Sequence, residues 1–126
     1  MNALITRFIG TGLLFILIFL SGFWLSNSGR PLNVLVLTIH KLMGLGTAIL
    51  IGVTVYQINQ QVGLNSTVWI AAAITLVLFL ATIISGGLSS LEQPAATTIL
   101  AIHKIGPFLT VVSAAATMYL LVKSQA

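Results

Sequence analysis

The octapeptides LTIHKLMG, at Leu37 to Gly44, and LAIHKIGP, at Leu100 to Pro107, hold the only two histidines of the chain. Each histidine is followed by a lysine and lies in a long apolar run. An ionisable side chain in such a run is costly and needs a partner, so it marks a functional site by default, usually a cofactor site or a proton relay. Cysteine is absent, which removes disulfides, thiolate ligands and iron–sulfur clusters. Glu92 is the only carboxylate and falls between apolar segments. A proton or cation carrier wants Asp or Glu in its core, so transport is disfavoured.

The elements that must position these histidines follow from composition. The 126 residues are 58% hydrophobic and 5% charged, against roughly 25% charged in a soluble domain. Four apolar segments stand out, Ile5 to Leu25, Val34 to Ile58, Val68 to Leu88 and Thr98 to Val122. Each is near or above the ~20 residues a helix needs to cross the hydrocarbon core. Helix is required there, because backbone polar groups in lipid must be satisfied within the segment, and no alternating barrel-strand pattern is present. The first run is longer than the apolar part of a typical leader and no small-x-small cleavage site follows it, so it reads as a retained helix.

Three short connections join the segments. SNSGRPLN contains the breakers Gly29 and Pro31 with Asn33 as an N-cap, NQQVGLNST separates the second and third segments, and SSLEQPAA the third and fourth. The expected fold is an all-α integral membrane protein, a four-helix transmembrane bundle of up-down-up-down topology forming one domain over residues 1–126. Trp24, Tyr56, Trp69 and Tyr119 lie near segment ends, where interfacial anchors belong.

The chain also reads as a tandem duplication, repeat 1 covering 1–63 and repeat 2 covering 64–126. A shift of 63 residues without a gap superimposes 13 residues, among them Pro31 on Pro94, His40 on His103, Lys41 on Lys104, Thr47 on Thr110, Thr54 on Thr117 and Tyr56 on Tyr119. Matches of rare residues at one offset weigh more than matches of Leu or Ile. A two-helix unit returns to its starting side, so the halves are expected as parallel repeats about an axis along the membrane normal, with His40 and His103 at one depth. His40, Thr47 and Thr54 recur every seven residues, as do His103, Thr110 and Thr117. Each trio is a polar stripe, and such stripes face protein.

Two imidazoles looking at each other across a bundle suit the axial positions of a haem iron. Small residues collect on the same side: Gly44 and Gly46 after His40, Gly106 after His103, Gly22 in the first segment, and Ser85, Gly86 and Gly87 in the third. Lys41, Lys104 and Arg30 are placed to meet the propionates. Met43, one turn from His40, is an alternative ligand or a packing residue. Thr47 and Thr110 complete the expected cofactor-lining set.

HKLMGLGTAILIGVTVY resembles the second helix of the small four-helix bacterial membrane b-type cytochromes of the superoxide-oxidase and hydrogenase cytochrome b subunit kind. There a His-Lys pair followed by Gly opens a helix and the histidine ligates haem. The resemblance covers one helix well and the four-helix plan loosely. It implies haem ligation by His40 and, through the repeat, by His103. Those proteins usually hold two haems on four histidines, so this chain is a reduced form with metal-binding capacity for one haem b. The implied activity is electron transfer, as an oxidoreductase component, between quinol or another membrane donor and a redox partner protein. The alternative reading is a cofactor-free membrane interaction or assembly protein, its histidines interfacial, its lysines snorkelling and its glycines close-packing positions. Membrane lipid is a partner on either reading. Nucleic acid is not, because the net charge of +4 is dispersed. Arg7 and Lys123 on the terminal face nearly balance Arg30 on the other. Both termini are assigned to the cytoplasmic side of a prokaryotic plasma membrane, as in the resembling cytochromes.

Overall fold

A computed structural model of the chain describes residues 2–91 and 96–125. Among them the regular structure is all helical: α1 (Asn2–Ser28), α2 (Val34–Val62), α3 (Ser66–Ser89) and α4 (Thr97–Ser124). All four are long and apolar enough to cross a membrane. At 24 to 29 residues they measure roughly 36 to 44 Å, more than the ~30 Å of hydrocarbon. Each runs past the segment read from hydropathy, because polar end residues such as Asn27, Gln60 and Gln61 continue the backbone ladder beyond the apolar stretch. Glu92 and Pro94, and with Pro94 its match to Pro31, lie outside the described residues.

The connections are built from turn chemistry. Gly29 and Gly63 take positive φ, 72° and 66°, a conformation that costs glycine little. The Arg30–Pro31 peptide is cis. Asn33 caps α2, its Oδ1 accepting from Val36 N at 3.1 Å. Between α2 and α3 only 63–65 stand outside the helices. Asn59 Oδ1 accepts from Leu64 N at 3.0 Å, and Asn65 Oδ1 accepts from Val68 N at 3.1 Å to cap α3. The connection is thus much shorter than the polar stretch NQQVGLNST.

The chain divides into two compact units, Met1–Ile51 and Gly52–Ala126. The division falls within α2, not at the 63/64 junction of the sequence halves. The last turns of α2 belong to the second unit, where Val55 and Ile58 are buried and Gln125 Nε2 donates to Gln61 Oε1 at 3.3 Å. In that unit α3 and α4 meet in descending order, Ser85 near His103, Thr82 near Thr110, and Thr75 near Ser113 and Thr117.

Most large apolar side chains point outward, with Trp24, Tyr56 and Tyr119 each at least 60% exposed. The buried polar side chains among the described residues are all threonine or serine. Their hydroxyls can satisfy themselves on their own helix: Thr11 donates to the carbonyl of Arg7, Thr47 to Met43, Thr75 to Ala71, Thr110 to Gly106 and Thr117 to Ser113. A hydroxyl bonded one turn back costs little to bury in lipid.

Candidate functional site

His40 is the seventh residue of α2 and His103 the seventh of α4. At 1.5 Å per residue each sits roughly 10 Å along its helix. Both are half-buried, and each is held by the helix that precedes its own.

In the first unit the partner is the pair Ser21–Gly22 on α1. Ser21 Oγ lies 2.8 Å from His40 Nδ1 and donates its own proton to the carbonyl of Ile18 at 3.0 Å. With the serine proton given to Ile18, Oγ is an acceptor toward the ring, and the pairing then calls for a proton on His40 Nδ1. The ring lies against Gly22, where an added Cβ would come 3.2 Å from His40 Cε1. A side chain at this position would make the ring give by a few tenths of an ångström.

In the second unit the pair is Ser85–Gly86 on α3. His103 Nδ1 lies 2.9 Å from the carbonyl oxygen of Thr82. A carbonyl only accepts, so His103 also carries its proton on Nδ1. Ser85 Oγ, at 3.5 Å from Nδ1, donates to the same carbonyl at 3.0 Å. The ring sits closer here: a Cβ on Gly86 would meet His103 Cε1 at 2.6 Å and Nδ1 at 2.9 Å. The carbonyl of residue 82 emerges beside residue 86 one turn on, so the missing side chain uncovers the acceptor.

With that proton placement at Ser21, both rings carry the proton on Nδ1. In the neutral imidazole a proton on Nδ1 puts the lone pair on Nε2, the arrangement in which a histidine ligates a metal while its other nitrogen is fixed by a carbonyl or hydroxyl behind it. An imidazole so held has the donor chemistry of a haem ligand. Among the described residues no group of three or more His, Cys, Asp or Glu gathers to cage a metal ion.

The other expected site residues divide by position. Gly22 and Gly86 receive the histidine rings themselves, and Gly106 receives Thr82, whose Oγ1 would lie 2.6 Å from an added Cβ. Gly44, Gly46 and Gly87 have nothing within 4 Å of an added Cβ, so they are the small residues that open on space. Thr47 and Thr110 are fully buried with their hydroxyls turned back on their own helices. Thr54 and Thr117, which continue the two stripes, are buried as well. Lys41, Lys104 and Arg30 are exposed, and Met43 is half-buried. Helix α4 runs without interruption through Pro107, which has no N–H to give the carbonyl of His103.

Ser21 and Thr82 are the site residues the sequence reading missed. A signal for Ser21 existed in the recurrence of Ser-Gly at 21–22 and 85–86, but it is one residue out of step with the histidine match. Ser21 and His40 are 19 residues apart, Ser85 and His103 only 18. An ungapped comparison pairs Ser21 with Ile84 and hides the relation.

The described residues thus define a class: all-helical, with four helices long and apolar enough to span a membrane and, in each unit, a histidine seated on a Ser-Gly pair. No known protein family, curated protein or solved structure matches the chain.

Proposed function

We propose that the chain is a membrane b-type cytochrome in which His40 and His103 hold one haem b by bis-histidine ligation, passing electrons between quinol or another membrane donor and a partner at one membrane face. The observation that carries this reading is the pair of Nδ1 contacts, to Ser21 Oγ at 2.8 Å and to the Thr82 carbonyl at 2.9 Å, which leave Nε2 as the ligating nitrogen of each ring. A histidine fixed through Nδ1 in this way is oriented as a metal ligand.

Haem b, when bound, supplies one-electron chemistry at its iron. The chain's residues do the rest. His40 and His103 would hold the haem through their imidazoles, and a haem held by two histidines would suit electron transfer and not oxygen binding. Ser21 and Thr82 fix the orientation of the rings. Lys41, Lys104 and Arg30, exposed at or near the same helix ends, supply positive charge for the propionates. Gly44 leaves room beside α2. With no cysteine the attachment is non-covalent, and with two histidines the ceiling is one haem per chain.

The same reading includes an up-down-up-down topology from a tandem duplication, in a prokaryotic plasma membrane with both termini cytoplasmic. It is supported by the descending contacts of α3 with α4, by the shared seventh position of the histidines, and by the Ser-Gly pair under each ring.

A second reading, a cofactor-free interaction or assembly protein, is favoured by the close seating of the imidazoles on glycine, which by itself clamps helix to helix. An optical spectrum separates the two. Protein purified in detergent from a haem-supplied host is expected to be red, with about one b-type haem per chain. A colourless preparation that also fails to bind added hemin would overturn the cytochrome reading and leave the clamp.

A further inference from the structure

The Ser-Gly pairs look equivalent in sequence but are wired differently. On α1 the contacts run in series, from His40 Nδ1 to Ser21 Oγ at 2.8 Å and from the Ser21 hydroxyl to the carbonyl of Ile18 at 3.0 Å. On α3 they converge, His103 Nδ1–H and the Ser85 hydroxyl both reaching the carbonyl of Thr82. The cause is the depth of each ring over its glycine, which is greater at Gly86 than at Gly22. His103 passes the serine and reaches the backbone; His40 stops at the hydroxyl.

We infer that Ser21 is a positioning residue for His40, setting its tautomer and its strength as a ligand, whereas Ser85 has no such role toward His103. A serine oxygen whose own proton is donated onward is a polarised acceptor, and it can be deleted by mutation. A backbone carbonyl cannot. His40 is therefore the ligand whose basicity the side-chain sequence tunes, and His103 the one held by the main chain. Acceptors behind a ligating imidazole raise its donor strength, and their loss typically weakens metal binding by 10- to 100-fold.

In its haem arm this inference rests on the cytochrome reading; in its tautomer arm it does not. The full-length protein is purified in detergent as wild type, Ser21→Ala, Ser21→Thr and Ser85→Ala, with ring-labelled histidine. Nitrogen NMR before haem loading reports which ring nitrogen carries the proton in each histidine. Ser21→Ala is expected to lower the Nδ1–H population of His40 and leave His103 alone. Ser21→Thr restores the hydroxyl and the wild-type signature, and Ser85→Ala changes neither ring. Hemin titration then gives binding about ten-fold or more weaker for Ser21→Ala, with a raised midpoint potential in the bound form, and wild-type behaviour for Ser85→Ala. An unchanged His40 signature in Ser21→Ala, failure of Ser21→Thr to restore it, or a shifted His103 signature in Ser85→Ala would overturn the inference. If no variant, wild type included, takes up hemin, the cytochrome reading fails, and the NMR comparison still decides the role of Ser21.

Discussion

Adding one methyl group under each histidine separates the two seats by an amount the distances set. In Gly86→Ala the new Cβ meets His103 Cε1 at 2.6 Å and Nδ1 at 2.9 Å, well inside van der Waals contact. The ring must move by several tenths of an ångström, and in moving it leaves the Thr82 carbonyl, now 2.9 Å away. Overpacking of this kind costs about 1–3 kcal/mol and the lost hydrogen bond about 1 kcal/mol more, so roughly 2–4 kcal/mol is expected. In Gly22→Ala the nearest approach is 3.2 Å to Cε1, with Nδ1 at 3.8 Å. A small tilt relieves it, keeping the bond to Ser21, and the expected cost is about 0.5 kcal/mol. The better helix propensity of alanine, ~1 kcal/mol in water, enters little, because helices separated in a micelle remain helical. The assay is reversible unfolding of the purified protein in mixed micelles of increasing denaturing-detergent fraction, with the two variants side by side. Equal losses, or a greater loss for Gly22→Ala, would refute the asymmetric seating of the rings.

The remaining expectations test other contacts. Thr75→Val removes the bonds of Thr75 Oγ1 to Ser113 Oγ at 2.6 Å and to Thr117 Oγ1 at 3.0 Å without changing shape. At ~0.6 kcal/mol per interhelical bond in a bilayer, the same unfolding assay should show a loss of about 1 kcal/mol, and a stabilised variant would count against the hydroxyl cluster. Replacing His40 or His103 by Ala should turn a low-spin haem spectrum into a weak high-spin or empty one, while Met43→Leu leaves it intact; dependence on Met43 with independence of His103 would overturn bis-histidine ligation. Oxidised haem-loaded protein mixed with a quinol analogue, and separately with superoxide, should show reduction in stopped-flow absorbance by at least one of them. Reduction by neither, in protein that dithionite reduces, would remove quinol and superoxide as electron donors.

Much of the architecture was legible in the chain itself. Four runs of apolar residues with so few charges can be satisfied in lipid only as helices, so the number, kind and approximate place of α1 to α4 follow from hydropathy and backbone hydrogen bonding alone. The turn residues Gly29 and Asn33 announced their roles as breaker and N-cap, since turn formation and N-capping are local properties. His40 and His103 stood out because an intramembrane histidine is rare and expensive wherever it lies. Where the helices end was less legible: residues such as Gln60 and Gln61 are polar enough to read as loop, yet helical hydrogen bonding does not stop where apolar composition does. Which atoms hold the histidines was not legible at all. Whether a ring reaches Ser21 Oγ or passes Ser85 to the Thr82 carbonyl depends on how deeply it sits over glycine, a difference of tenths of an ångström set by helix contact and by a one-residue difference in spacing. Sequence carries side-chain identity, whereas the acceptor at His103 is a main-chain oxygen that every residue possesses; only the tertiary structure could select the one left uncovered by Gly86.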